Sequence, residues 1–193
     1  MEILEIIKRR RSIRKYKAIP IDKKMVRNVL EAANWAPSNG NSQPWEFVVV
    51  QGEYKEEICS VFYEYAKGYI PSATYINEED KSRMLHYAKD FGGAPCHIVV
   101  TYPKDPDPCK REEAMQACCA AIQNMLLQAE SMGLGTVWIS APLKDSEKVK
   151  SIVSLSDDRM IAGIIPIGYP DIHPMAPSRK DPDMQEKVSW LGF

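Results

Sequence analysis

The chain has 193 residues, of which 45% are hydrophobic and 26% charged, and its formal net charge is −1. That is the size of one domain and the make-up of a globular rather than a disordered protein. The balance of charge gives no global pull toward nucleic acid or an anionic membrane, and the longest apolar runs, 96–102 and 160–168, fall far short of the ~20 residues of a spanning helix.

The N-terminus carries Glu2 and Glu5 before the basic run from Lys8 to Arg11, an order that does not fit a secretory signal. Ile3, Leu4 and Ile7 have the spacing of one helix face, predicting a helix over 2–10. A basic stretch, Arg9 to Tyr16, follows. Asp22 is a candidate cap for a helix whose stripe is Met25, Val26, Val29, Leu30 and Ala33, and Pro37 stops it. A polar loop from Ser38 to Pro44 leads into Trp45–Val50, an aromatic and β-branched run that reads as a strand.

A helix is expected over 53–66. Residues 67–90 hold Tyr69, Tyr75 and Tyr87 among charges with no sustained period, and both a lid over a site and a plain surface helix fit. Gly92 and Gly93 punctuate, Cys96–Tyr102 reads as a buried strand, and a long helix is predicted over about 111–131 with Gly133 as its stop. Short elements follow: a strand at Thr136–Ile139, a helix over 145–154 capped by Asp145 or Ser146, and a strand at Met160–Gly168. The tail, 171–193, is rich in Pro, Asp and Lys and ends Trp190-Leu191-Gly192-Phe193. Helices and strands interleave irregularly, which favours an α+β layer architecture within a single domain, 1–193.

Cys59, Cys96, Cys109, Cys118 and Cys119 are odd in number and form no CxxC pair, so neither a disulfide framework nor a zinc site is expected. Five reduced thiols suit a cytoplasmic protein.

Two stretches carry chemistry. Arg10, Arg11, Ser12 and Arg14 combine planar guanidinium forks with neutral donors, a set suited to a phosphate monoester or a nucleic-acid backbone; a solvated basic face is the plainer reading. The loop with Pro37, Ser38, Asn39, Asn41 and Gln43 concentrates amides and hydroxyls that can edge a polar heterocycle, although such residues also make ordinary turns. No GxGxxG follows a strand, and Walker, HExxH and GxSxG motifs are absent. His86 and His173 are scattered, and His97, in an apolar strand, is expected to be a hydrogen-bonded core residue. With no acid–base or nucleophile constellation of its own, an enzyme of this sequence needs a cofactor to carry the chemistry.

The ordered set Arg10-Arg11-Ser12-Ile13-Arg14-Lys15-Tyr16, Ala36-Pro37-Ser38, Asn41-Ser42-Gln43-Pro44-Trp45-Glu46-Phe47, Gly133-Leu134-Gly135-Thr136-Val137-Trp138-Ile139, Ile167-Gly168-Tyr169-Pro170 and Arg179-Lys180 resembles the nitroreductase family of FMN-dependent oxidoreductases. The resemblance implies a central, mostly antiparallel sheet flanked by helices and an intertwined homodimer with FMN at the subunit interface. It implies that Arg10, Arg11, Ser12 and Arg14 of one subunit hold the phosphate, ribityl chain and pyrimidine edge. Pro37, Ser38, Asn39, Asn41 and Gln43 would come from the other subunit over the ring. Trp138, Ile139 and Ser140 would lie along the flavin, and Arg179, with Lys180 as its competitor, would close on the phosphate.

The activity implied is hydride transfer from NADH or NADPH through FMN to an electron-poor acceptor such as a nitroaromatic or quinone, with no metal, nucleic acid or membrane involved. Reductive dehalogenation, enone reduction and flavin fragmentation on the same scaffold stay open, as does a non-enzymatic flavin- or nucleic-acid-binding protein. Trp190, Leu191 and Phe193 could anchor the tail on the partner.

Overall fold

The structure is a computed structural model that describes residues 2–140, 143 and 146–192. Helix α1 spans Ile3–Arg9 and α2 spans Lys23–Asn34, its first turn capped by Asp22, whose carboxylate accepts from the Lys24 N–H at 2.6 Å. Strand β1 is Glu46–Val50, α3 is Gly52–Tyr69, α4 is Glu78–Ala88 and β2 is Cys96–Pro103. Helix α5 runs from Pro108 to Ser131, β3 is Gly135–Thr136, α6 is Glu147–Ile152 and β4 is Arg159–Gly168.

Differences from the expected boundaries have local causes. Helix α5 starts three residues earlier than its apolar period does, because Asp107 caps it and Pro108 suits the first turn. The expected strand at 136–139 pairs with β4 only at Gly135 and Thr136; the chain leaves and returns at Ile139, which bridges Ile164. Residues 67–90 resolve into the end of α3 and a separate α4, which Asn77 caps by accepting from the Asp80 N–H at 2.8 Å. Ser146 caps α6 through the Val149 N–H; Asp145 lies outside the described residues.

Among the described residues the strands form one antiparallel sheet in the order β1-β2-β4-β3. Its centre, β2 and β4, is buried on both faces, so both strands read as nearly unbroken apolar runs. Alternation sends Ile98, Val100, Ala162 and Ile165 to a core shared with α2 and α5, and Val99, Ile161 and Ile164 to one shared with α3 and α6. A bulge opposite Val100 and Thr101, which skips Ala162, lets β4 keep the correct residues on each face. Helix α4 packs outside α3 through Ala66, Ile70 and Ala88. All five cysteines are free thiols, and among the described residues no helix is long and apolar enough to cross a membrane.

The expectation that His97 is hydrogen-bonded is corrected. It is fully buried, packed on Phe91 with ring centroids 5.0 Å apart, and neither ring nitrogen has a partner among the described residues. Burial in this apolar shell, with Lys55 as a smaller contributor, lowers its pKa from 6.5 to about 3. The folded protein therefore keeps a neutral imidazole where the unfolded chain takes up a proton. Stability from this group is complete above pH 6.5 and drains away as the pH falls toward about 3, at up to ~1.4 kcal/mol per pH unit. Urea unfolding at pH 7.5, 6 and 5 should show that slope below pH 6.5, and His97→Leu should flatten it.

Candidate functional site

After α1 the chain is extended, and it is docked rather than loose. Ile13 donates its N–H to the Thr136 carbonyl at 3.0 Å, Tyr16 to Gly92 at 2.9 Å and Lys17 to Tyr169 at 2.9 Å. The Ile13 and Tyr16 side chains are buried with Ala94, and the Tyr16 hydroxyl donates to the Ile13 carbonyl at 2.8 Å. Two glycines make room for this arm. A Cβ on Gly135 would lie 2.8 Å from the Ile13 side chain, and one on Gly92, at φ +70°, would fall on the Arg14 carbonyl. With Ile13 and Tyr16 turned inward, Arg10, Arg11 and Ser12 are half-buried and Arg14 is exposed.

The arm gathers positive charge. The Arg10 guanidinium is held below its ordinary pKa by burial first and by Arg11 next; Glu130 opposes this and Arg179 adds to it. Arg179, from the tail, is thus among the charges that act on Arg10. Arg11 donates through Nε to the Arg9 carbonyl at 3.0 Å and through Nη2 to the Lys8 carbonyl, so part of its fork caps the C-terminus of α1. Glu130, near the end of α5, pairs with Arg9 at 3.3 Å.

Beside the arm lies a cleft of about 1400 Å³. Its walls are Arg14–Tyr16, Gly92–Gly93, Val137–Ser140 and the inner side of α4, with Phe62 from α3 and Ile70 just beyond its end. Four of the expected residues line it: Arg14, which is exposed, and Trp138, Ile139 and Ser140, which reach it in different ways. The Trp138 indole lies against Gly163 of β4, with a buried Nε1 that has no partner among the described residues. Ile139 has both backbone groups paired with Ile164, at 3.0 and 2.7 Å, and so offers the cleft a side-chain wall rather than an amide. Ser140 is exposed.

Tyr87 of α4 stands over an aromatic cluster with Phe91 and Phe62. Its buried hydroxyl has no partner among the described residues, and burial holds its pKa well above the ordinary tyrosine value. Arg83 of the same helix pairs with Asp80 and Glu79.

The polar loop is not at this cleft. Ser38 Oγ accepts from the Gln43 N–H at 3.0 Å, and Asn39 Nδ2 donates to Glu113 Oε2 at 2.8 Å. Pro37, Asn39, Asn41 and Gln43 are exposed. Asn41 and Gln43 adopt φ of 57° and 45°, a left-handed conformation that side chains resist. Glu113, beside the loop, and Glu130, beside the arm, both lie on α5, separated by about 25 Å of helix at 1.5 Å per residue. Within one chain the two chemistry-bearing stretches therefore stay apart.

Sequence reasoning missed Glu130 and Arg159. Glu130 ends an apolar helical face and Arg159 begins an apolar strand, so a charge at the margin of a buried element was the available signal.

The sequence profile of the Nitroreductase family matches residues 7–169. A Bacillus subtilis (strain 168) protein provisionally named NAD(P)H nitroreductase YfhC is 30% identical over 176 residues, 91% of this chain and 88% of that protein. Among solved structures, a nitroreductase-like family protein from Bacillus cereus has a TM-score of 0.79 at 28% identity, covering 100% of this chain and 97% of that one. A provisionally named nitroreductase of Desulfovibrio desulfuricans, solved in complex with FMN, has a TM-score of 0.74 at 25% identity, covering 99% of each chain. With its arm, loop and cleft carried on that shared fold, and a profile match spanning most of its length, this chain belongs to the nitroreductase family.

Proposed function

We propose that the protein is an FMN-dependent oxidoreductase of the cytoplasm, working as an intertwined homodimer on an electron-poor small molecule such as a nitroaromatic or quinone. The observation that carries this reading is the docked basic arm: Arg10, half-buried and acted on by Arg11 and Arg179, lies four residues before Arg14, which with Lys15 and Tyr16 walls an aromatic-lined cleft. Burial, Arg11 and Arg179 disfavour the Arg10 cation, and Glu130 opposes them. A phosphate monoester, at about −1.5 to −2 near neutral pH, matches that excess, and the residues therefore fit FMN. Similarity to an FMN-bound protein and to one named for NAD(P)H supports the cofactor and the donor.

When bound, FMN supplies two-electron transfer from NADH or NADPH to the acceptor. The chain's residues bind and orient it. Arg10, Arg11, Ser12 and Arg179 would hold the phosphate and ribityl end. Arg14, which lines the cleft, would stand at the pyrimidine edge, where a fixed positive charge makes the ring a better electron acceptor. Trp138, Ile139 and Ser140 would back the ring, and Pro37, Ser38, Asn39, Asn41 and Gln43 would cover it from the partner subunit. The purified protein should be yellow, and NADH or NADPH should bleach its flavin band before an added nitroaromatic or quinone restores it. A protein that takes up no FMN would overturn the reading.

If the arm and the loop serve one flavin, the distance along α5 calls for a second subunit, and exposed apolar surface supports that reading. No residue of α1 is buried, and Ile3, Leu4 and Ile7 face solvent. Trp35, beside the polar loop, is 80% exposed, and Leu191 in the tail is 87% exposed. Phe193, the last of the expected tail anchors, lies outside the described residues. A second copy covering these surfaces would bring each arm to the other chain's loop. Sedimentation equilibrium should give a particle of two 21.9 kDa chains; a flavin-loaded monomer would contradict it.

Replacing Arg10 and Arg11 by Ala removes charge-assisted contacts worth roughly 1.5–3 kcal/mol each, about ten- to a hundredfold in affinity per residue. A fluorescence-quenching titration should show that loss for FMN and a much smaller one for riboflavin, which lacks the phosphate. Equal losses for the two flavins would move the arginines to the ring or to folding.

A further inference from the structure

We propose that Arg159 is a positioning residue for the flavin ring: by clamping the end of the strained 37–44 loop, it presents Ser38 and Asn39 to the partner subunit's cofactor in one geometry. The inference rests on the flavin-dimer reading above. Arg159 opens β4 and its side chain is only 12% exposed. Its rigid fork makes four contacts. Nε donates to Thr101 Oγ1 at 3.0 Å, Nη2 donates to the carbonyls of Thr101 at 3.1 Å and Pro44 at 2.9 Å, and Nη1 pairs with Glu46 Oε1 at 2.9 Å. Thr101 is fully buried in β2, at the β2–β4 bulge, so the fork is tied to the centre of the sheet.

The contact to Pro44 is the one that reaches the loop. Proline has no N–H, so its carbonyl is the sole backbone hydrogen-bonding group it offers. Just before it, Gln43 and Asn41 hold left-handed backbone conformations, which persist only where surrounding contacts over-determine them. On the N-terminal side the loop is held by Ser38 Oγ to the Gln43 N–H and by Asn39 to Glu113. Beyond the loop, Trp45 Nε1 donates to Asn34 Oδ1 at 3.0 Å and fixes the start of the strand rather than the turn. Arg159 is thus the half-buried anchor of the loop's C-terminal end.

Without that anchor the two strained residues can relax, and Ser38 and Asn39 lose their preorganisation. Because the loop would face the ring and not the phosphate, FMN and riboflavin should suffer alike, the opposite pattern to that of the Arg10 and Arg11 variants. Lysine keeps the charge but is a point donor without the fork, and serves fewer of the four contacts.

The test is a flavin titration, with FMN and with riboflavin, of the wild-type protein, Arg159→Met, Arg159→Lys and Glu46→Gln, together with the midpoint potential of the bound flavin. The expected result is about a tenfold weaker affinity of Arg159→Met for both flavins, the effect of lost loop preorganisation rather than of a lost flavin contact, and a shifted midpoint potential. Arg159→Lys should fall between that variant and wild type. Glu46→Gln removes the ion pair but leaves the Pro44 contact, and should bind flavin within about twofold of wild type, as exposed pairs contribute little.

Wild-type affinity and potential in both Arg159 variants would overturn the proposal, and so would a loss confined to FMN. If Arg159→Met does not fold, Arg159→Lys decides by the same two readouts, since a merely structural role leaves the bound flavin's potential unmoved. A wild-type protein that takes up neither flavin overturns the flavin reading itself.

Discussion

The length of α5 is the constraint on which the rest of the molecule depends. Its buried face, from Ala117 to Ala129, is part of the core shared with α2 and the sheet, and this fixes its direction. One end carries Glu113 beside the polar loop and the other carries Glu130 beside the basic arm. A helix is stiff over this span, at 1.5 Å per residue, so the two stretches cannot approach each other within a chain. The same rigidity that separates them gives each a fixed location, which is what a site assembled from two copies requires.

Each end is held by a different device. The arm is a short extended segment whose apolar residues, Ile13 and Tyr16, are buried while its basic residues stay at or near the surface. Missing Cβ atoms at Gly135 and Gly92 let it lie against the strand and the turn. The loop has no apolar anchor of its own beyond Ala36 and Trp45 at its base. It is held by hydrogen bonds instead, with Arg159 as a half-buried cation that joins Pro44 to the sheet. A segment held by polar contacts and carrying two left-handed side chains stores strain that a packed segment does not.

Between these ends the molecule keeps its chemistry outside its core. The buried titratable groups are held neutral: His97 is pushed down to about 3, and the Cys59 and Cys118 thiols are each pushed up to about 12, mainly by burial. None of them is placed to exchange a proton near neutral pH. What the fold does present is the cationic cluster of the arm and tail and the aromatic wall of α4 beside the cleft. That arrangement suits a protein that holds a reactive cofactor rather than one that supplies its own acid or base.

Local rules made much of this legible. The caps at Asp22 and Ser146, the left-handed stop at Gly133 and the apolar periods of α2, α5 and β4 are decided by residues a few positions apart. The ordered motifs pointed to the family for the same reason, since each is a short run with its own backbone demands. Tertiary structure alone decided the rest. Pro44 meets Arg159 across 115 positions, and Tyr16 meets Pro166 across 150, contacts set by sheet register and not by any local signal. The unpartnered nitrogens of His97, the division of 67–90 between two helices, and the exposure of α1 each depend on what the fold brings alongside them. A hydrophobic period shows that a face will be covered, but only the packed chain shows whether it is covered from within or waits for a second copy.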